Sequence, residues 1–298
     1  MGRDAFEASA AARAVFEAAD EATGLPLRRL CFEGPAEDLR RTELQQPAIL
    51  TTSIALLRAL QEQVPVEPAC LLGHSLGEYT ALVAAGSLGL EDGVALVHAR
   101  GRFMQECVAE GRGAMAALLG LDLAAVTELC GEEVRRSGAV VAPANLNGPR
   151  QIVIAGETQA VEAILEAARE RGARRAVRLA VSAPFHCSLM QPAAEKLAAE
   201  LARIRFEDPR VPVVSNVDAQ PNRAGERVAR LLEAQVTAPV RFNDCVQRLG
   251  ELGVRRVLEV GPGRVLSGLV ARIDRKLQRA AVSTMEEARA WAEAAARR

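Results

Sequence analysis

A serine lies between glycines in the stretch Gly73-His74-Ser75-Leu76-Gly77. The apolar residues 69–72 precede this stretch, and a helix-compatible run extends from Glu78 to Ala85. Glycines two residues on either side of a serine, between a strand and a helix, are typical of a nucleophile elbow, whose tight turn exposes the hydroxyl. The pattern predicts that Ser75 is a covalent nucleophile. A purely structural turn is the alternative.

A serine hydroxyl needs a base within hydrogen-bond reach, and that base is most often a histidine. The chain has three histidines. His74 precedes the nucleophile in the turn, so its side chain should point away from Oγ and pack or hydrogen-bond within the loop. His98 lies in the middle of a predicted helix and is expected at the surface or behind the site. By elimination His186, in the loop 182–187, is the predicted base, since catalytic groups collect on loops held by a rigid scaffold.

Hydrophobic periodicity predicts the helices that must position these residues. One amphipathic helix is predicted from Asp4 to Ala22. A second should begin between Thr42 and Pro47, where Thr42 and Gln45 have the spacing of a capping box. A third should run from Leu90 to Val108. These helices would form the packing surface around the nucleophile turn.

Two further apolar runs, residues 211–216 and 254–260, are predicted to be buried parallel strands, because such strands read as continuous apolar runs. Their alternation with helices predicts an α/β protein with a mainly parallel sheet. The glycine-rich stretch 261–268 lacks dinucleotide-binding spacing, since Leu266 occupies the place of the third glycine. We therefore interpret these glycines as serving tight packing of a strand on a helix.

From Ala114 to Val181 the pattern changes to short apolar runs that alternate with helices. The predicted elements are, in order, strand 114–119, helix 123–136, strands 139–143 and 151–155, helix 159–171 and strand 175–179. This βαββαβ order is typical of a ferredoxin-like unit. We predict that residues 112–181 form a small subdomain inserted into a larger α/β domain, which residues 1–111 and 182–298 build.

The composition and net charge limit the classes of partner that we expect. The 298 residues are 49% hydrophobic, and 37 basic side chains against 38 acidic ones leave a net charge of -1. Such a balance favours neither nucleic acid nor a membrane surface as a partner. The chain has no apolar run long enough to span a bilayer, and acidic residues occupy the position where a signal peptide needs apolar ones. We expect a cytoplasmic protein.

The six cysteines are scattered along the chain without a paired spacing such as C-x-x-C. Neither a zinc site nor a disulfide framework is indicated by this spacing. We expect free thiols and no bound metal.

Five short motifs succeed one another over nearly the whole chain. They are Gly73-His74-Ser75-Leu76-Gly77-Glu78-Tyr79, Arg100-Gly101-Arg102-Phe103-Met104-Gln105, Asn145-Leu146-Asn147, Pro184-Phe185-His186 and Val260-Gly261-Pro262-Gly263. In this order they resemble the motifs of malonyl-CoA:acyl-carrier-protein transacylases. The resemblance implies an α/β-hydrolase-like large domain with a ferredoxin-like insertion. It also implies transfer of a malonyl group from malonyl-CoA to the phosphopantetheine thiol of an acyl carrier protein in fatty-acid synthesis, with no metal or redox cofactor.

The resemblance assigns roles to five residues. Ser75 would carry the malonyl ester, while His186 would take and return the proton. The main-chain carbonyl of Gln235 would orient that histidine, and the main-chain N–H of Leu76 would donate to the oxyanion. Arg100 would grip the malonyl carboxylate, a role that suits a guanidinium, whose planar fork donates two parallel bonds to a carboxylate.

Four more residues are candidates for substrate binding by the same resemblance: His74, Phe185, Asn145 and Asn147. A bulky ring at Phe185 would crowd an α-methyl group, which favours malonyl over methylmalonyl. The two asparagines are expected in a loop near the cleft. The implied partners are malonyl-CoA and acyl carrier protein, and we expect a monomer.

The chain departs from the family at its start. Members of the family begin with an apolar strand that leads into Gly-Gln-Gly-Ser-Gln, whose glutamine donates a second N–H to the oxyanion. Met1-Gly2-Arg3-Asp4 resembles the family segment immediately after that motif, and Gln45-Gln46 matches a later part of the family. Losing one oxyanion donor costs about 10²–10³ in rate, and losing an interior strand leaves an open sheet edge. Either the start lies at an internal methionine, or this is a shortened form with impaired activity.

Three functions therefore stay open. The first is a malonyl transferase with a covalent intermediate. The second is a serine hydrolase or thioesterase with the same elbow. The third is a carrier-protein-binding form with little or no activity.

Overall fold

The computed structural model describes residues 1–109, 111–181 and 183–296. Ser182, the first residue of the predicted loop 182–187, lies outside the described residues. The helices are α1 (Arg3–Ala8), α2 (Ala10–Thr23), α3 (Leu27–Glu33), α4 (Thr42–Gln61), α5 (Leu76–Ala84), α6 (Leu90–Glu106), α7 (Leu123–Ser137), α8 (Thr158–Glu170), α9 (Gln191–Leu201), α10 (Val228–Thr237), α11 (Phe242–Glu251), α12 (Val265–Ile273) and α13 (Met285–Ala296). The strands are β1 (Leu71–Leu72), β2 (Gly113–Leu119), β3 (Val141–Gly148), β4 (Gln151–Glu157), β5 (Arg175–Arg178), β6 (Val213–Val214), β7 (Pro221–Asn222), β8 (Arg256–Val260) and β9 (Gln278–Val282).

Four strands form an antiparallel sheet in the order β3-β4-β2-β5. With α7 and α8 they have the βαββαβ order of a ferredoxin-like unit, as the periodicity predicted. One face of the sheet packs with both helices on an apolar cluster that includes Leu118, Ile154 and Ile164. The other face contributes Met115 and Val153 to a smaller cluster with residues of the loop around His186. The sheet therefore supports this loop from behind.

Strand β3 is longer than the predicted 139–143 and continues to Gly148. Asn145 and Asn147 consequently lie in a strand, and the expectation that they lie in a loop is wrong. The strand is irregular, with register shifts between Pro143 and Asn145 and between Leu146 and Gly148. Bulges of this kind let a strand carry polar residues toward a site.

The remaining strands form two separate sheets. Strand β1 pairs in parallel with β6, which pairs antiparallel with β7, and β8 pairs in parallel with β9. Within the described residues, no strand pairs with the second edge of β1 or of β8. The prediction that 254–260 is buried is therefore wrong: β8 is at most half-buried, because one of its edges lacks a neighbouring strand.

The N-terminal helices differ from the prediction at their ends. The expected single helix from Asp4 to Ala22 is divided at Ser9, whose extended backbone interrupts it and whose Oγ accepts from the N–H of Ala12 at 3.0 Å. Helix α4 begins at Thr42, as expected, but the capping box with Gln45 does not form. Arg41 is the extended cap residue, and the Thr42 hydroxyl instead accepts from the Gln46 amide at 2.9 Å.

Helix α4 lies at the centre of the main apolar core. Its residues Leu50, Ile54 and Leu56 are buried there together with residues of α2 and α6. Because α4 and α6 pack in this core, the polar residues near their facing surfaces are also removed from water. Gln46 on α4 and Arg100 on α6 are both in this position.

The glycine-rich turn after β8 packs closely at one point. Gly261 has a φ of 144°, and a Cβ there would lie 2.5 Å from the Ser53 hydroxyl oxygen on α4. The Glu259 carboxylate accepts from the N–H groups of Leu266 and Ser267, at 2.9 and 2.6 Å, and so satisfies the start of α12. A Cβ at Gly268 would meet open space, so the prediction of tight packing does not hold there.

All six cysteines are free, and Cys31, Cys130, Cys187 and Cys245 are buried. Among residues 1–109, 111–181 and 183–296, no cluster of His, Cys, Asp or Glu has the arrangement of a metal site. None of the helices in this part of the chain has the length and apolar character that crossing a bilayer requires.

Candidate active site

The turn between β1 and α5 has the geometry of a nucleophile elbow. Ser75 has a φ of 51° and a ψ of −105°, a conformation that residues with a Cβ rarely adopt. Gly73 is needed because the two arms of the turn nearly touch: a Cβ on it would lie 2.0 Å from the carbonyl carbon of Gly77, whereas a Cβ on Gly77 would meet open space. The turn therefore presents the Ser75 side chain at the start of α5.

Asn216 holds this turn from below. It lies just after β6 and is fully buried. Its Oδ1 accepts from the Ser75 N–H at 2.7 Å, and its Nδ2 donates to the Gly73 carbonyl at 2.8 Å. Asn216 was not predicted as a site residue, although a signal existed: it is a polar residue at the carboxyl end of the predicted strand 211–216, where site residues gather in parallel sheets.

His186 meets the nucleophile, as the elimination predicted. Its Nε2 lies 2.8 Å from Ser75 Oγ, and its Nδ1 lies 2.8 Å from the main-chain carbonyl oxygen of Gln235. A carbonyl can only accept, so Nδ1 carries the proton and Nε2 is free to accept the proton of the serine. Burial, together with the nearby cation of Arg100, lowers the pKa of His186 from 6.5 to about 3. The imidazole is therefore neutral at pH 7, the form that a general base needs.

Arg100 reaches the same hydroxyl from α6. Its Nη2 donates to Ser75 Oγ at 2.9 Å and to the Gln235 side-chain oxygen at 3.0 Å, and its Nη1 donates to Gln46 Oε1 at 2.6 Å. The side chain is 2% exposed. No carboxylate within the described residues forms a salt bridge with it, and burial lowers its pKa. A buried cation whose hydrogen bonds go to neutral oxygens could accommodate an anion.

Gln46, a second residue that sequence reasoning did not assign to the site, is a buried partner of this cation. Its amide accepts from Arg100 and donates to Thr42, so the side chain is fixed at both ends. It lies on the first turns of a helix, where a glutamine normally faces solvent. Nothing in the helical pattern alone distinguishes it.

The predicted oxyanion donor, Leu76, is the first residue of α5. An N–H at this position has no carbonyl partner inside the helix, and the helix dipole favours an anion beside it. The structure therefore places this N–H directly after the nucleophile, with the orientation of a helix start.

The remaining substrate-binding candidates are His74, Asn147, Asn145 and Phe185. His74 points away from Ser75 Oγ, as expected: its Nε2 lies 2.7 Å from Asn147 Oδ1, and its ring packs against Phe242. Asn147 is thus joined to the elbow through His74. Asn145 is buried and makes a backbone bridge to Val240, and the structure gives it no hydrogen bond to Ser75, His186 or Arg100. Phe185 is half-buried against both the main core and the subdomain sheet.

A groove of about 410 Å³ opens beside His186. It runs between the subdomain and the end of α10, and its lining is mainly apolar. The lining includes Leu123, Thr127, Pro143, Leu146, Thr237 and Pro239. This volume lies within the range of small-molecule binding sites.

Comparison with known proteins places this geometry in a family. Residues 1–289 match the family model described as an acyl transferase domain. The malonyl CoA-acyl carrier protein transacylase of Escherichia coli strain K12 is 49% identical over 258 residues, which cover 87% of this chain and 83% of that protein. The enzyme of the same name from Bacillus subtilis strain 168 is 46% identical over 286 residues, covering 96% and 90%.

Solved structures agree with the sequence comparison. The malonyl CoA-acyl carrier protein transacylase of Coxiella burnetii superposes with a TM-score of 0.95 at 38% identity, covering 98% of this chain and 92% of that one. A malonyl-transacylase solved in complex with a type II polyketide acyl-carrier protein superposes with a TM-score of 0.95 at 42% identity, covering 99% and 94%. The chain thus belongs to the malonyl-CoA:acyl-carrier-protein transacylase family.

Proposed function

We propose that this protein transfers a malonyl group from malonyl-CoA to the phosphopantetheine thiol of an acyl carrier protein, in fatty-acid synthesis, through a malonyl ester on Ser75. The observation that carries the proposal is the buried guanidinium of Arg100, which donates to the nucleophile oxygen and has no carboxylate partner in the described chain. The free carboxylate of a malonyl thioester, two carbons from the carbonyl under attack, supplies the missing anion.

In the first half of the proposed reaction, His186 Nε2 accepts the Ser75 proton as Oγ attacks the thioester carbonyl. The Leu76 N–H donates to the oxyanion that forms. The carbon–sulfur bond then breaks, and the imidazolium returns its proton to the departing coenzyme A thiolate. In the second half, the carrier thiol gives its proton to His186 and attacks the ester, and Ser75 recovers its proton as it leaves.

Through Arg100, the charge of the bound substrate also affects the basicity of His186 and so the chemical step. It lies within hydrogen-bond distance of the oxygen that loses its proton, and its charge lowers the pKa of His186. A bound malonyl carboxylate would neutralise that charge and make the imidazole more basic. An acetyl group, which lacks the carboxylate, would leave the base weak. Malonyl is therefore favoured in the rate of acylation as well as in binding.

The groove beside His186 supports the identity of the second substrate. Coenzyme A and acyl carrier proteins present the same phosphopantetheine arm, and a mainly apolar groove that ends at the base suits such an arm. The relatives named above bear the name of this activity, and one of them was solved with an acyl-carrier protein bound. The reaction as proposed requires no cofactor beyond the coenzyme A of the substrate.

The test is labelling of the intact chain with malonyl-CoA, followed by peptide mass spectrometry. We expect one malonyl group on Ser75, which transfers to a carrier protein only when that protein bears phosphopantetheine. A labelled serine that releases malonate to water but not to the carrier would indicate a hydrolase. Carrier binding without any label would indicate a binding protein.

Arg100→Ala tests the role of the cation. We expect the ratio of kcat/KM for malonyl-CoA over acetyl-CoA to fall by about 10²-fold or more, because a site built to bond a polar group rejects analogues that lack it. Arg102→Ala is the matched control, since Arg102 lies on the same helix but is exposed and stacks on Phe103. An unchanged ratio in Arg100→Ala would remove the basis of the proposal.

A further inference from the structure

A buried carboxyl group lies directly beneath the site and takes no part in the proposed chemistry. Glu78 is on the first turn of α5 and is 3% exposed. Its Oε2 accepts from the Gln235 side-chain Nε2 at 2.7 Å and from the Asn216 N–H at 3.0 Å. Burial raises its pKa to about 7, which means that the fold holds a carboxyl group in a place that disfavours its charge.

Glu78 contacts the side-chain amide of Gln235, whose oxygen and nitrogen bond to different groups. Gln235 Oε1 accepts from Arg100 at 3.0 Å, while Nε2 donates to the Ser75 carbonyl at 3.1 Å as well as to Glu78. The two ends of an amide are almost identical in shape, so packing alone does not select this orientation. In the opposite orientation the amide N–H groups would face the Arg100 donors, and the guanidinium would lose one of its neutral partners.

The main chain of Gln235 also holds His186, through its carbonyl oxygen. One fully buried residue therefore contacts the base with its backbone and the anion-binding cation with its side chain. A change in its side-chain orientation would act on Arg100 first, because the amide contacts the guanidinium directly.

We propose that Glu78 is a positioning residue: its Oε2 fixes the orientation of the Gln235 amide, and this amide aligns Arg100 with the substrate carboxylate. The proposal rests on the function proposed above, in which Arg100 binds that carboxylate. Glu78 acts as an acceptor at a fixed place. The contact from its carboxyl oxygen to Gln235 Nε2 determines the effect, and its negative charge is secondary.

Two conservative variants separate reach from charge. Glu78→Asp keeps the carboxylate but withdraws it by about 1.5 Å, one carbon–carbon bond, which takes it out of hydrogen-bond range of Gln235 Nε2. Glu78→Gln keeps an oxygen at the same place and loses the charge. The Ser215 hydroxyl, which lowers the pKa of Glu78, can also accept and is an available partner for the new amide nitrogen.

The measurement is the ratio of kcat/KM for malonyl-CoA over acetyl-CoA. We expect Glu78→Asp to lower this ratio by about tenfold or more and Glu78→Gln to keep it within about threefold of wild type. The reverse pattern, equal losses in both, or no loss in either would overturn the proposal. Leu82→Ala is the matched control, because Leu82 lies one turn later on α5, lines the same small cavity as Glu78, and packs in the main core. It should lower the melting temperature and leave the ratio unchanged.

A double-mutant cycle tests the route through Gln235. Gln235→Met removes the amide and retains the main-chain carbonyl that holds His186. If Glu78 acts through this amide, adding Glu78→Asp to Gln235→Met should change the ratio by less than about threefold, since coupled residues are not additive. Multiplied losses would overturn the proposal. Failure of the proposed function is distinguishable, because wild-type protein would then show no malonyl label or no preference for malonyl in the first place.

Discussion

The subdomain sheet and the nucleophile turn are held in shape by different interactions. In the sheet, β2 and β4 pair over seven residues and close on an apolar cluster with two helices. The turn comes after a strand of only two residues, and buried polar side chains of Asn216, Gln235 and Glu78 hold it. Repeated apolar burial builds the first region, whereas a few specific hydrogen bonds build the second.

This difference has consequences for mutation. An apolar core tolerates exchanges of similar volume and loses stability gradually as atoms are removed. A buried polar network depends on every member, since one missing partner leaves others unsatisfied. Mutations in the sheet should therefore change the free energy of unfolding and leave the chemistry intact, whereas mutations at the turn should change the reaction rate, the pH dependence of stability, or both.

The largest expected effect is at the turn. Ser75→Ala should lower the rate of malonyl transfer by about 10⁴-fold or more, because no other group can form the ester. Transfer to a phosphopantetheine-bearing carrier protein measures the rate, and thermal unfolding confirms the fold. Ser87→Ala is the control: this buried serine also donates a hydrogen bond, to the Glu207 carbonyl, but far from the site. Loss of transfer in the control, or a Ser75→Ala rate that falls by much less than about 10⁴-fold, would contradict this expectation.

The next effect is on stability in the sheet. Ile154 lies on β4, is fully buried and belongs to the subdomain cluster. Ile154→Ala should lower the free energy of unfolding by about 2–5 kcal/mol, since it removes buried methyl groups and leaves a cavity. Denaturant titration measures this loss. The value of kcat per folded molecule should stay within about threefold of wild type, and a larger fall would mean that the sheet shapes the site more directly than its contacts indicate.

The same difference explains how far the sequence could predict the molecule. Helix and strand periodicity predicted the βαββαβ order, because each of its elements buries one regular face. The elbow pattern predicted Ser75, and the small number of histidines predicted His186. The end of β3 and the division of the first helix at Ser9 were missed, because a bulged strand has no simple period and a single serine can cap a helix or lie inside one.

The polar residues beneath the turn could not be predicted in the same way. Ser75 and Asn216 are 141 residues apart, and their hydrogen bond depends on β6 lying beside β1. Glu78 falls on a helix that a sequence pattern describes equally well with a solvent-exposed glutamate. The partners of a buried polar group are set by the assembled fold, so one sequence alone does not identify them.

The stability that Glu78 contributes should depend on pH. Burial raises its pKa from 4.5 to about 7 in the folded protein, with Asp218 adding to the shift. Between these values the folded chain holds this proton more tightly than the unfolded chain, so the stability that it contributes below pH 4.5 is lost as the pH rises through about 7. The difference corresponds to about 3 kcal/mol. Arg100 is the other charged group that interacts with Glu78 in this region.

Glu78→Gln removes that dependence. The free energy of unfolding of the variant minus that of wild type should increase by up to about 3 kcal/mol as the pH rises from 4.5 to 8. The lowered pKa of His186 gives a slope of the opposite sign below pH 6.5, and this slope is common to both proteins and cancels in the difference. Denaturant titrations across this range measure the difference. If the free energy of unfolding changed with pH in the same way in both proteins, the pKa of Glu78 would not be raised by the fold.

The smallest expected effect is at the contact that joins the two regions. Asn147 on β3 bonds His74 in the turn, and burial lowers the pKa of His74. Asn147→Ala should lower the free energy of unfolding by about 1 kcal/mol, the usual worth of one hydrogen bond. Because His74 faces away from Ser75 Oγ, the rate of malonyl transfer should change by less than about threefold. A tenfold or greater fall in kcat/KM without loss of stability would instead assign Asn147 to the substrate, and the sheet would then contribute directly to catalysis.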